Sequence, residues 1–247
     1  MTRPLVTVVI PAYHAARFIR RALESVRNQS FQDLEVILVV DDYMHDKTPE
    51  IAAEFIPYLT IIPIFSKDKT SPAAARNRAI AQARGQYLAF LDADDEWHKN
   101  HLADAAGYLS LNPDTAVYYA MCVNITDMPE SFHGVRVENI EEFCPAPFST
   151  IVTRNPPAFL FDERLRAADD YLWLLKTYRS GAGIHFEPHL ESNYYLHGDN
   201  LTSGAPDWPV QHFMVRLLAG DYRTAMHLLP AAIRAKCSGR FTKRNPP

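Results

Sequence analysis

Tyr87-Leu88-Ala89-Phe90-Leu91-Asp92-Ala93-Asp94-Asp95 runs five residues of strand character into three carboxylates within four positions. A buried strand there would deliver a cluster of negative charge to its own carboxyl end. Like charges about 4 Å apart repel by roughly 4 kcal/mol even at an effective dielectric of 20, so acids this close in a cleft bind a metal, raise a pKa or pair with Arg or Lys. Hard oxygen ligands favour Mg²⁺ or Mn²⁺, ions commonly shared with nucleotide phosphates. An isolated Asp-x-Asp is more often an acidic loop facing water, so the surrounding chain has to decide.

Working back from that stretch, the chain alternates strands and helices. Leu5–Ile10 is a β-branched run before Pro11, read as a buried strand that ends where a ladder N–H is lost. Ala15–Asn28 repeats Phe18, Ala22 and Val26 every four residues, widened by Ile19 and Leu23, with Arg17, Arg20, Arg21 and Arg27 opposite. Leu34–Val40 is a second apolar strand running into Asp41-Asp42, Thr48–Phe55 a helix with Thr48 as N-cap, and Leu59–Phe65 a third strand. Ser71 and Pro72 open a helix over Ala73–Ala83 that Gly85 would end. Arg76 and Arg78 near its first turns oppose the helix dipole unless an anion sits at that end.

Beyond the opening stretch, Asn100–Leu111 reads as a helix and Ala116–Met121 as a strand. Asp127–Pro147 has no period; short strands are expected near Gly134–Val137 and Ser149–Thr153. Asp169–Ser180 is a helix with two acids in its first turn and Gly181 as terminator, followed by short strands at Ile184–Glu187 and Leu190–Leu196. Trp208–Gly220 and Tyr222–Lys236 read as two helices before a basic tail. The expected fold is α/β: a Rossmann-like, mostly parallel sheet flanked by helices over residues 1–200, divided near 121/122, with a C-terminal helical extension over 201–247.

The bulk numbers fit an enzyme. The 247 residues, 47% of them hydrophobic, suffice for a real core, and a net charge of −4 gives no basic field for nucleic acid. Cys122, Cys144 and Cys237 have neither disulfide-framework nor zinc spacing. Without a signal-peptide pattern or a run of about 18 apolar residues, a cytoplasmic location is expected. A basic Ala231–Arg244 segment leaves room for peripheral contact at the inner membrane face.

In an alternating β/α chain ligands bind beyond the carboxyl ends of the strands. Here those ends carry Pro11-Ala12-Tyr13, Asp41-Asp42, Ser66-Lys67 and Asp92-Ala93-Asp94-Asp95. Tyr13 could stack on a base, Asp42 accept from a base or ribose, the later acids hold a metal, and Arg76 meet phosphate. Neither G-x-G-x-x-G nor a P-loop is present, which disfavours a dinucleotide dehydrogenase, a P-loop kinase and a nucleotidyltransferase of related fold.

At Val8–Tyr13, Val39–Asp42, Ala75-Arg76-Asn77 ahead of Gly85, Phe90–Asp95 and Asp169–Leu174 the chain resembles the family 2 glycosyltransferases of the GT-A fold. Five short motifs in order and at fitting spacing, over roughly residues 5 to 200, carry that resemblance. It implies an inverting enzyme taking a sugar from a nucleotide-diphosphate donor, usually a UDP-sugar, with Mn²⁺ or Mg²⁺, onto a carbohydrate or glycoconjugate acceptor. By the same resemblance Pro11, Ala12 and Tyr13 line the nucleoside pocket, Tyr13 against the base, and Asp42 reads the uracil. Arg76 lies near the donor, Asp92 and Asp94 form the Asp-x-Asp pair with Asp94 the direct metal ligand, and His197 reaches the diphosphate or metal. Asp170 is the catalytic base, with Asp169 the alternative.

Three departures stand out. Tyr43-Met44-His45 replaces the family's Gly-Ser/Thr, Asp169-Asp170 replaces Glu-Asp, and Tyr195 stands where relatives have Arg. The altered loop keeps open a nucleotide-sugar-binding protein of this fold without turnover. Trp97, after the acidic motif, is read either as stacking on a sugar or as packing into the core, whereas Trp173 is expected in the core.

Overall fold

A computed structural model describes residues 3–125, 131–133, 140–141, 147–165, 167–197, 214–221 and 223–228. The expected strand at Gly134–Val137, the basic segment Ala231–Arg244, Cys144 and Cys237 lie outside them.

The strands are β1 Val6–Tyr13, β2 Leu34–Asp41, β3 Ile61–Ser66, β4 Tyr87–Phe90, β5 Glu96–Trp97, β6 Thr115–Ile125, β7 Ser131–His133, β8 Ile151–Arg154 and β9 Gly183–Tyr195. The α-helices are α1 Ile19–Arg27, α2 Thr48–Ala53, α3 Pro72–Ile80, α4 His101–Leu111 and α5 Asp169–Arg179. One sheet orders the strands β3-β2-β1-β4-β8-β6-β9-β5, with β7 on β6. β1 to β4 pair in parallel, as do β6 and β9, while β8 lies antiparallel between β4 and β6. This is the expected α/β architecture.

Alternation along the strands divides the core. Val6, Val8 and Ile10 of β1, with Val36, Leu38 and Val40 of β2, face α1, α2 and α4. Val9, Ile37, Val39, Leu88 and Phe90 face α3 and α5. Both faces are covered, which is why β1, β2 and β4 read as unbroken apolar runs rather than alternating ones.

β1 does not stop at Pro11 but continues to Tyr13, paired to β2 through Asp41. Leu91 N donates to Val9 O, so Val9 faces β4, and Pro11 two residues later faces the same edge. The β4 ladder has ended there at Phe90, so the missing N–H has no partner to lose. α1 starts at Ile19, after a turn in which Ala15 O accepts from Phe18 N and Ile19 N. Lys47, not Thr48, caps α2, whereas Ser71 caps α3 as expected, its Oγ accepting from Ala74 N at 3.2 Å.

Gly85 does not end α3. That helix stops at Ile80, and Gly85 instead lets two strands' ends meet: a Cβ on it would stand 2.4 Å from Thr7 N. Its N–H donates to Thr7 Oγ1 at 2.8 Å, and Thr7 donates in turn to the buried Glu35. Gly181 terminates α5 as expected, with φ +80.

The two strands expected after α5 are one, β9. Between Ala120↔Glu187 and Met121↔Leu190 the register slips, so Pro188-His189 bulge out and pairing resumes beyond them. The strand expected at Ser149–Thr153 begins two residues late as β8, behind a 3₁₀ turn over Phe148–Thr150. Of the two C-terminal helices, residues 214–218 and 223–228 are helical about Gly220, φ +78. Arg216 fixes the first of them, donating to Tyr171 Oη at 2.7 Å.

Candidate active site

The carboxyl ends of β1, β2 and β4 and the first turn of α5 bring the acids to one edge. Among the described residues three non-glycine residues have left-handed backbone: His14 (φ +50), Asp42 (φ +53) and Ala168 (φ +59). Two follow β1 and β2 directly and the third precedes Asp169-Asp170. Such conformations are costly and gather at functional sites.

In both acidic pairs the first member is tied by an arginine of α3. Asp41, a ladder residue of β2, accepts from Arg78 Nη2 and, at 2.7 Å, from Thr70 N. Asp169 accepts from Arg76 Nη1 at 2.8 Å, and the other nitrogen, Nη2, donates to Asp92 at 2.7 Å. The anions that offset the adverse placement of Arg76 and Arg78 on α3 are therefore the chain's own carboxylates. Arg76 is buried against Phe148 and Phe161, 4.9 and 5.6 Å to the ring centroids. Burial alone would weaken its hold on the proton, but Asp92, Asp169 and Asp170 together raise its pKa.

The second member of each pair is left toward the edge. Asp170 is half-buried and accepts from Tyr171 N at 2.7 Å. Burial first, then the neighbouring Asp169, push its carboxyl up to about 7. Asp42 accepts from rings on both sides: His45 Nδ1 at 2.5 Å and His14 Nε2 at 3.0 Å. These two hydrogen bonds, His45 the stronger, hold the Asp42 carboxyl below its ordinary range. The 3₁₀ turn Tyr43–His45, which replaces the family's small residues, is what folds His45 back.

At the acidic motif the three carboxylates part. Asp95 is wholly buried, accepting from Ser149 Oγ and from Tyr195 N at 3.1 Å, and its pKa is raised well up by burial and by Asp94 and Asp92. It anchors the turn. Asp92 and Asp94 side chains remain 31% and 24% exposed and face the edge. Asp94 Oδ2 lies 3.1 Å from His197 Nε2, and the His197 ring stacks on Phe18 at 4.5 Å. Burial, then the Asp92 charge, raise the Asp94 carboxyl, an excess of negative charge that a cation would relieve.

That donor set is carboxylate oxygen, which suits a hard divalent ion. Among the described residues no group of three or more His, Cys, Asp or Glu could hold a metal by itself.

Pro11 and Ala12 are β1 ladder residues opposite Val39 and Val40, and Ala12 is buried. Tyr13 is 40% exposed, with Lys69 Nζ 4.0 Å from its ring centroid. Trp97 is not open to a sugar: it is 3% exposed and its Nε1 donates to Ser149 O. Trp173 is in the core, stacked on Phe161 and donating to Phe159 O at 2.8 Å.

Reading the sequence missed His14, Lys69, Ser149 and Arg21. Arg21 donates to Asp94 O, and its guanidinium lies 3.3 Å from the Tyr195 ring centroid, so the tyrosine at the departing position seats a cation from α1. His45 was visible only as a departure from the family's small residue.

The sheet order and the acids at its carboxyl edge define a GT-A-type α/β protein. The sequence profile described as Glycosyl transferase family 2 matches residues 7–155, and the chain belongs to that family. Over 99 residues it is 44% identical to the amylovoran biosynthesis glycosyltransferase AmsB of Erwinia amylovora, covering 39% of this chain and 33% of that protein. Over 101 residues it is 38% identical to the putative teichuronic acid biosynthesis glycosyltransferase TuaG of Bacillus subtilis, covering 40% of each. The chain thus aligns with well under half the length of these curated relatives. Its fold matches that of S. aureus TarS 1-349 in complex with UDP-GlcNAc, with TM-score 0.74 at 21% identity over 97% of this chain and 74% of that one. It also matches the mannosyltransferase PcManGT of Pyrobaculum calidifontis in complex with GDP-Man and Mn²⁺, with TM-score 0.65 at 21% identity over 98% and 76%. Among the described residues no helix is long and apolar enough to cross a membrane.

Proposed function

We propose that the chain transfers a sugar from a nucleotide-diphosphate sugar, a UDP-sugar, to a hydroxyl of a carbohydrate or glycoconjugate acceptor with inversion. The observation that carries this reading is Asp170, a half-buried carboxyl with its pKa pushed to about 7, beside the Arg76 bridge between Asp92 and Asp169. A base whose pKa lies near the working pH is suited to proton transfer, a contribution of about 10²–10⁴-fold.

Asp170 takes the proton from the acceptor hydroxyl as its oxygen bonds to the anomeric carbon. The bond from that carbon to the diphosphate oxygen breaks on the opposite face, its electron pair leaving with the nucleoside diphosphate. Asp169 is held by Arg76, and its adjacent charge adds to the effect of burial in keeping the Asp170 carboxyl up to about 7. Asp92 and Asp94 would hold a divalent ion, Mn²⁺ or Mg²⁺, and such an ion would supply positive charge against the departing diphosphate. Arg21 fixes the Asp94 backbone and His197 its carboxylate. Tyr13 and Asp42 receive the nucleoside.

The UDP-GlcNAc named in the TarS complex supports a UDP-sugar, and the Mn²⁺ named in the PcManGT complex supports the metal. Release of UDP from a panel of UDP-sugars with Mn²⁺, by slow hydrolysis without acceptor, tests the reading. No release from any donor, with binding retained, would favour a nucleotide-sugar-binding protein without turnover.

A further inference from the structure

We infer that Phe18 and Arg21, one turn apart at the start of α1, are positioning residues that set Asp94 for ion binding, acting through His197 and the acidic turn. The inference deepens the nucleotide-sugar reading above and rests on it. Phe18 is the cap residue of α1, and Arg21 stands three residues on, its backbone N–H donating to Phe18 O at 3.0 Å, so both side chains share one face. Opposite them, Leu196 N still donates to Ile125 O at 2.9 Å, so the chain stays extended beyond β9 and Tyr195 and His197 turn to one side. The two pairs meet side chain to side chain. The Phe18 and His197 rings stack at 4.5 Å with 17° between their planes, and the Arg21 guanidinium lies 3.3 Å from the Tyr195 ring centroid.

Both contacts end on Asp94. His197 Nε2 lies 3.1 Å from Asp94 Oδ2, and Arg21 Nη2 donates to Asp94 O. One residue is thus gripped at its carboxylate and at its main chain from the same turn of helix. Tyr195, the seat of Arg21, is itself fixed: its Oη donates to Glu96 Oε2 at 2.8 Å and its backbone N–H to Asp95 Oδ1 at 3.1 Å. Asp92 is gripped from the other layer, by Arg76 of α3 at 2.7 Å, and α1 and α3 cover opposite faces of the sheet. The gap between the two carboxylates therefore depends on both helices. Groups that orient metal ligands in this way change ion affinity by about 10–100-fold when removed.

Calorimetric titration of the full chain with UDP, once with Mn²⁺ and once with a chelator, tests the assignment on wild type, Phe18→Leu, Arg21→Gln, Phe18→Tyr and Arg21→Lys. Phe18→Leu and Arg21→Gln should each weaken UDP with Mn²⁺ by about tenfold. With the chelator their affinities should stay within about twofold of wild type. Phe18→Tyr keeps the stacked ring and should bind as wild type does, and Arg21→Lys keeps a cation over Tyr195 and should lose less than Arg21→Gln. Placed in an Asp94→Ala chain, Phe18→Leu and Arg21→Gln should cost no more than about twofold further, because the residue they act through is gone. Wild-type affinity for UDP with Mn²⁺ in both variants would overturn the inference. So would losses that persist in full with the chelator or in the Asp94→Ala chain, since those mark a merely structural role. The two substitutions stand on separate contacts, so either one that folds decides the comparison. A wild type that binds no UDP under either condition would sink the nucleotide-sugar reading itself, and the inference with it.

Discussion

Arg76 joins Asp92 to Asp169, one guanidinium nitrogen on each carboxylate at 2.7 and 2.8 Å. The link runs from the end of β4 to the first turn of α5, across 93 residues of chain on its longer arm. Asp169 and Arg76 are buried, so removing either strands a charge. Arg76→Gln should destabilise the fold by about 3–5 kcal/mol in urea unfolding, and Asp92→Asn by much less because Asp92 remains partly in water. Equal losses for the two would contradict the picture of Asp169 as the dependent partner.

Asp170 gives a pH test with a definite sign. A carboxyl raised to about 7 binds its proton more tightly folded than unfolded. Its contribution to stability is present at low pH and is lost as the pH rises from the ordinary carboxylate range through about 7. Asp170→Asn should flatten that slope relative to wild type while retaining donor binding. As the proposed base it must be deprotonated, so kcat/KM should rise through the same window, and Asp170→Asn should lower kcat by about 10²–10⁴-fold. A rate profile flat from pH 5 to 8 would remove Asp170 from the role.

The sequence made the acids legible and their division of labour illegible. Asp41-Asp42, Asp92-Ala93-Asp94-Asp95 and Asp169-Asp170 each sit at the end of a readable strand or the start of a readable helix. Which member is tied depends on Arg76, Arg78, Ser149 and Tyr195, whose partners lie tens of residues away. Ser149 opens the strand expected at Ser149–Thr153, but no local pattern says that its hydroxyl will meet Asp95, 54 residues away. Trp97, open to either reading in the sequence, is decided the same way: the two-residue β5 buries it by pairing with Ser192 and Asn193 of β9, a contact no local period encodes. Pro188 read as a break between strands because a bulge and a loop look alike in one dimension.

Asp94→Ala should uncouple nucleotide from metal. UDP should raise the thermal midpoint of wild type more with Mn²⁺ than with a chelator, and the two conditions should coincide in the variant. Identical protection of wild type under both conditions would end the metal role of the Asp92 and Asp94 pair.

Gly85→Ala puts a methyl 2.4 Å from Thr7 N and 2.7 Å from Thr7 Oγ1, with backbone of β1 that cannot step aside. Overpacking of this kind costs about 1–3 kcal/mol or more. Denaturant midpoints should fall accordingly; an unchanged midpoint would mean that the Thr7 and Gly85 contact is slack.

β8 is hydrogen-bonded along one side to Tyr87–Ala89 of β4 and along the other to Val117–Tyr119 of β6. It works as a rivet between the strands that end at Asp41 and Asp92 and those that lead through β9 to His197. The strands that carry Asp94 and His197 are thereby joined through one continuous ladder. Moving Asp94 relative to His197 therefore means breaking the β8 ladder on one side or the other.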